Sequence, residues 1–216
     1  MRESRPYHHG NLREALLQAA IRLIAEMGPN NFTLREVARR ASVSHNAPYR
    51  HFRDKDDLLG AVAAQGFREL TQAMLEEAAS KSNARDRLKH SGLAYVSFAL
   101  RRPEHFTVMF DLPASKCQHP ECTEASKGAF AALLSFVEDC QVEGQLPSGR
   151  SRERALLAWS LVHGIARLAV TGRLTGKSQS DILEFAAFAI DESFAAHTSA
   201  TTKGKIIPPA KPSTRS

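Results

Sequence analysis

The chain reads as an all-α protein, and three observations carry that reading. Apolar residues recur with helical spacing along almost the whole of its 216 residues. Strand-like alternation of β-branched residues extends nowhere beyond a few positions. Start and stop signals divide the periodic stretches into separate helices.

The first helix is expected to open at Asn11, with Glu14 completing a capping box. It turns Ala15, Leu16, Ala19, Ala20, Leu23, Ile24 and Met27 to one face and stops at Gly28-Pro29. A second helix of about two turns has Thr33 as N-cap, with Glu36 closing the box and Phe32 and Val37 as a hydrophobic staple. A third is expected from Ser44, placing Pro48 near its fourth position, within the first turn, where proline removes at most one backbone bond. A long fourth helix starts after Asp54, with Asp57 suited to the positive end of its dipole, and runs toward Ala79.

Lys81-Ser82-Asn83 marks the break before a larger helical unit, residues 80–197. Its helices are expected near 86–101, 103–110, 122–143, 151–173 and 180–196. Residues 198–216 hold Ser, Thr, Lys and three prolines and read as a disordered basic tail, and residues 1–9 as a flexible arm.

The formal net charge of +6 is concentrated at the ends: residues 1–53 carry +5 and residues 198–216 carry +4. A basic N-terminal part points to a polyanionic partner, with a solvated face as the bland alternative. Three cysteines, Cys117, Cys122 and Cys140, cannot all pair within one chain, and no signal-peptide pattern opens the sequence, so a reducing cytoplasm is expected. The longest apolar stretch, Ala155 to Val170, contains His163 and Arg167 and is too short to cross a bilayer, so no membrane partner is expected.

Two short helices joined through Ser42-Val43 and continued at once by a long one have the form of a helix-turn-helix, residues 33–52. The stretch FTLREVARRASVSHNAPYRHFRDKDDLL, Phe32 to Leu59, resembles the DNA-binding part of the TetR family of transcriptional regulators. The likeness covers roughly residues 10–70, with Ser42 standing where the family often has Gly. It implies that Tyr49, His51 and Lys55 face phosphates, that Thr33 and Ser44 act as caps near the backbone, and that Arg35, His45, Asn46 and Ala47 reach bases. The chemistry agrees, since Arg pairs with guanine, Asn with adenine, and a methyl packs on thymine. Each residue also has a plainer role open to it: Tyr49 in the core, His51 as a helix-end cap, Arg35 on a solvated face. Arg2, Arg5, His8 and His9 suit a minor-groove arm.

LLAWSLVHGIARLAVTGRL, Leu156 to Leu174, resembles the Trp-His-Gly type of C-terminal domain found in part of the same family. Trp159 and His163 lie four apart on one face, and Gly164 permits close approach of a neighbouring helix. The resemblance implies a homodimer through the last two helices, with Leu157, Leu161, Leu168, Leu183, Phe185, Phe188 and Phe194 at the interface. It also implies a small-molecule pocket, for which Tyr95, Phe98, Phe106, Met109, Phe110, Phe130, Trp159 and His163 are candidates, ordinary core being the other reading of each. The expected function is a homodimeric repressor released from a pseudo-palindromic duplex operator when an effector favours the wrong spacing of its recognition helices.

Two alternatives use the C-terminal bundle differently. A small all-α enzyme is one, although no phosphate loop, nucleophile motif or coupled carboxylate pair supports it. A metal or thiol sensor is the other, since Cys117, His119 and Cys122 bring soft and imidazole ligands together at a spacing that matches no standard zinc site. No cofactor is expected.

Overall fold

The computed structural model describes residues 9–111, 119–174 and 177–202. Among them the order is α1 His9–Met27, α2 Leu34–Arg40, a 3-10 turn Pro48–Arg50, α3 Lys55–Ala79, α4 Ala84–Arg101, α5 Pro103–Asp111, α6 Pro120–Val142, α7 Ser151–Val170 and α8 Gln179–Thr202. The described chain is helical throughout, with no strand, as the periodicity predicts.

The helix ends show which local signals hold. Thr33 forms the full capping box: its hydroxyl accepts from the Glu36 N–H at 3.3 Å, while the Glu36 carboxylate accepts from the Thr33 N–H at 2.7 Å. Asp54 caps α3, accepting from the Asp57 N–H at 2.8 Å. Gly28 ends α1 in the left-handed region, φ 81, which costs glycine nothing. α1 itself starts at His9, so Asn11 lies inside the helix and is not its cap. Met27 is 38% exposed at the last turn and leaves the expected apolar face.

The N-terminal unit packs α1, α2 and the start of α3 around Leu16, Leu23, Val37, Phe52, Leu58 and Leu59, all nearly inaccessible. Burial of that order stabilises by about 1.5–3 kcal/mol for each large side chain. α3 then runs on for 25 residues into the C-terminal unit, where it packs against α4, α5 and above all α6. α4 bridges α6, α7 and α8, and α7 packs on α8. The start of α4 is pinned to the end of α6: Glu143 accepts from the Ala84 N–H at 2.8 Å and from Arg87 at 2.7 Å. α8 continues to Thr202, past the expected boundary at Thr198.

The two units also touch directly. Glu121, in the first turn of α6, pairs with Arg13 of α1 at 3.2 Å and with Arg68 of α3 at 3.3 Å. His119 sits with its Nε2 3.8 Å from Asp57, in the first turn of α3. Asp57 is held in its charged form below the usual carboxylate range by the Arg53 N–H and guanidinium and by the nearby imidazole, against the opposing pull of burial.

Candidate nucleic-acid interface and ligand cavity

The segment between α2 and α3 determines what a nucleic acid would meet. The chain leaves α2 through Ser42, whose φ of 57 lies in the left-handed region, and this is the physical reason a glycine suits that turn. Val43 N–H then bonds back to Ala38 C=O at 3.0 Å, fixing the turn angle. Beyond Val43 the backbone departs from the α-helix expected to begin at Ser44. Ala47 N–H bonds to Ser44 C=O at 2.9 Å and His51 N–H to Pro48 C=O at 2.9 Å, both in the 3-10 pattern. Pro48 stands at the first turn of the short 3-10 segment, so its missing N–H leaves no bond unmade.

The tight winding sorts the side chains. Ala47 and Pro48 turn inward beside Phe52, and Ala47 is only 7% exposed. The expected base contact of Ala47 is therefore corrected: its methyl belongs to the core. Thr33, Arg35, Ser44, His45, Asn46, Tyr49 and Arg50 are exposed, Tyr49 by 53% although it is a large aromatic. His51 is half-buried against Phe52. Lys55 is half-buried, its ammonium donating to Asn30 C=O at 2.9 Å and lying 5.3 Å from the Phe32 ring centre. It ties the α1–α2 turn to the start of α3, with donors left over for a phosphate.

Cations on this unit are unequally engaged. Arg40 forms a two-pronged pair with Glu26. Among the described residues Arg35 and Arg50 have no carboxylate within ion-pair distance. Arg50 is not in the sequence-based set, although a cation beside an exposed tyrosine is the signal that finds it. Arg2, Arg5 and His8 lie outside the described residues, and His9 is the first residue of α1.

A cavity of about 550 Å³ opens in the C-terminal unit, walled by α3, α4, α6 and α7 with Phe110 of α5. Of the expected pocket residues, Tyr95, Phe110, Phe130 and Trp159 line it. Phe98, Phe106 and Met109 do not: all three are core, Met109 wedged against Gly66. His163 stands behind the wall. The Trp159 N–H donates to the Tyr95 hydroxyl at 3.2 Å, and that hydroxyl lies 2.8 Å from His163 Nδ1. Burial and then Arg167 lower the proton affinity of His163 and favour the neutral ring, which shares one hydrogen bond with the Tyr95 hydroxyl. Burial likewise raises the Tyr95 pKa and keeps the phenol protonated. Periodicity assigns Phe67, Leu70 and Met74 to core alone, because it does not reveal that α3 faces a void.

At Gly164 a methyl would meet nothing within 4 Å, so among the described residues of this chain no other helix approaches it. Close approach occurs instead at Gly92, where a methyl would sit 3.0 Å from Ile190 Cδ1 and 3.2 Å from Val162 Cγ1. Leu157, Leu168, Phe185 and Phe188 are exposed on α7 and α8, Leu161 and Leu183 are half-buried, and Phe194 is buried beneath Arg85 within the protomer. Cys117 lies outside the described residues. Cys122 is disulfide-bonded and Cys140 is a free buried thiol, so the three do not all pair. Among the described residues no helix is long and apolar enough to cross a membrane.

Comparison with known proteins agrees with this geometry. Residues 16–62 match the profile of bacterial regulatory proteins of the tetR family, and residues 88–193 that of the tetracyclin repressor-like C-terminal domain. An HTH-type transcriptional repressor of Mycobacterium tuberculosis is 39% identical over 77 residues, 36% of this chain and 41% of the relative, so the match spans less than half of that protein. A Rhodococcus protein of unknown function has a similar structure, with a TM-score of 0.75, 34% identity and coverage of 88% of this chain and 98% of the other. The FadR regulator of Bacillus subtilis, solved in complex with stearoyl-CoA, shares the fold at a TM-score of 0.70 and 17% identity, over 82% of this chain and 95% of the other. With the DNA-binding and C-terminal profiles both matched in order on one all-helical chain, the protein belongs to the TetR family.

Proposed function

We propose that this protein is a homodimeric transcriptional repressor that binds a pseudo-palindromic DNA operator and releases it when a small molecule fills the C-terminal cavity. The observation that carries the reading is the run from Ser44 to Arg50. Its polar and aromatic side chains are exposed and its apolar members buried, on a backbone fixed by a capped helix on either side. Arg35, His45 and Asn46 supply groups that match base edges, while Thr33, Ser44, Tyr49, Arg50, His51 and Lys55 supply donors for phosphates.

The apolar faces of α7 and α8, with open space over Gly164, suit pairing with a second copy. A two-fold pair presents its recognition segments to half-sites about one helical turn, roughly 34 Å, or multiples apart. α3 and α6 both wall the cavity and both grip the DNA-binding unit, α6 through His119 and Glu121. A ligand that changes their packing therefore changes the spacing, and by linkage DNA must weaken that ligand equally. Such a regulator acts in the cytoplasm and needs no catalysis.

The test is selection of bound duplexes followed by fluorescence anisotropy. The parent chain is expected to bind its selected site near 10⁻⁸ M or tighter, and Tyr49→Ala with Arg50→Ala to lose about tenfold or more at unchanged melting temperature. Retained affinity in the folded double variant overturns the interface.

A further inference from the structure

The chemistry of the cavity wall restricts what the cavity admits. Its inner surface is apolar and aromatic, including Phe67, Leu70, Met74, Phe110 and Trp159. The uncharged polar groups within it are already hydrogen-bonded to the protein. Ser91 Oγ donates to Leu88 C=O at 2.7 Å, Ser126 Oγ to Thr123 C=O at 3.0 Å and Trp159 Nε1 to the Tyr95 hydroxyl, which also shares a hydrogen bond with His163 Nδ1. A ligand carrying a polar head into the depth would compete with these bonds for a partner, at a cost of about 1–3 kcal/mol for each group left without one.

The remaining donors are both cations. Lys127 on α6 and Arg152 in the first turn of α7 are the charged residues of the lining, and no Asp or Glu joins them among the described residues. The Arg152 guanidinium lies 5.1 Å from the Phe130 ring centre, which holds it over the wall, and no described carboxylate is within ion-pair distance of it. Lys127 lies 3.6 Å from Glu124, but both are largely exposed, so water screens that pair and leaves the ammonium available. Both cations are solvent-exposed and so stand at the rim of the cavity.

We infer that the cavity takes an amphipathic carboxylate, its apolar body inside among the aromatic rings and its anionic head at the rim between Lys127 and Arg152. This rests on the cavity being the effector site of the proposed repressor. The head keeps part of its hydration there, so it avoids the full cost of burying a charge. A guanidinium and an ammonium lining one cavity, with no acid among the described lining, favour a carboxylate over a neutral head of equal size and repel an amine. The body is either alkyl or aryl, since edge-exposed rings accept both.

Trp159 is the single tryptophan and lines the cavity, so its fluorescence reports occupancy in the full-length protein. Four probes are titrated at pH 7.5: decanoate, 6-phenylhexanoate, decan-1-ol and decylamine. At least one carboxylate is expected to bind about tenfold more tightly than the alcohol, with the amine weakest. The better carboxylate identifies the body as alkyl or aryl. In Lys127→Ala with Arg152→Ala the preference for carboxylate over alcohol should shrink to within about twofold, while alcohol binding is kept; Arg152→Lys should restore part of the preference. Equal binding of alcohol and carboxylate, or an unchanged preference in the double variant, overturns the inference and leaves the cavity as a ligand site. Failure of all four probes to perturb Trp159 overturns the effector-site reading beneath it.

Discussion

Gly60 of α3 and His119 at the start of α6 meet so closely that a methyl group on Gly60 would overlap the His119 Cβ. The neighbour is the root of a side chain and has little room to swing away. Gly60 lies just inside α3, beyond the DNA-binding turn, so this contact sets how near α6 comes to the DNA-binding unit.

Gly60→Ala should therefore destabilise the protein by about 1–3 kcal/mol, the overlap outweighing the gain of about 1 kcal/mol in helix propensity. His119→Gly on that background removes the overlapped atom and should recover part of the loss. Urea unfolding of the four members of the cycle measures the coupling. A Gly60→Ala protein as stable as the parent would show that α6 is free to shift.

Ser42→Gly should stabilise by about 1 kcal/mol. The left-handed φ of 57 is strained for a side chain and open to glycine, and this relief exceeds the extra chain entropy glycine brings to the unfolded state. Ser42→Val should lose at least as much. Thermal melts of both variants decide the sign.

Arg50 and Arg40 should separate in the salt dependence of operator binding. Arg50→Ala removes a cation with no described carboxylate partner, and the slope of log affinity against log salt should fall by about 1. Arg40 is committed to Glu26 by two hydrogen bonds, so Arg40→Ala should change the slope far less. Equal effects would place Arg40 on a phosphate and its pairing with Glu26 aside.

His163 predicts the acid side of the stability profile. Burial and Arg167 lower its pKa in the fold, so below the ordinary histidine value near 6.5 the unfolded chain takes up the proton first. Stability is fully present above that value and declines as the pH falls from it toward the folded pKa. His105, buried with neither ring nitrogen hydrogen-bonded, has its pKa lowered chiefly by burial and adds a decline of the same sign. His163→Gln should flatten part of this slope, the remainder belonging to His105, as unfolding measured from pH 7.5 downward will show.

The helix-turn-helix is legible because its signals are local. A capping box, a staple and an acidic N-cap each involve residues three to five apart, and the two caps form as their spacing requires. Ala47 is misplaced by sequence reasoning for the complementary reason. Which way a methyl faces depends on whether the backbone winds by 3.6 or by 3 residues per turn, and Pro48 tips that choice through hydrogen bonds that propensity does not encode. The cavity is half legible. Tyr95 and Trp159 line it, but Phe106 and Met109 are equally apolar and equally periodic. The difference between a wall and a filled core depends on five helices packing together, which no single helix records.

The twin grip of Glu121 on Arg13 and Arg68 bears on how such proteins can be recombined. A DNA-binding unit grafted from a relative onto this C-terminal bundle would bring its own residues at those two positions, and at Asp57 and Gly60. Without a matching acid on α6, the transplanted unit would recognise its sequence yet take no instruction from the bundle. Chimeras that retain regulation should be those exchanging the first turn of α6 together with α1 and α3 as far as Arg68, which makes that turn part of the portable unit despite its place beyond the middle of the chain.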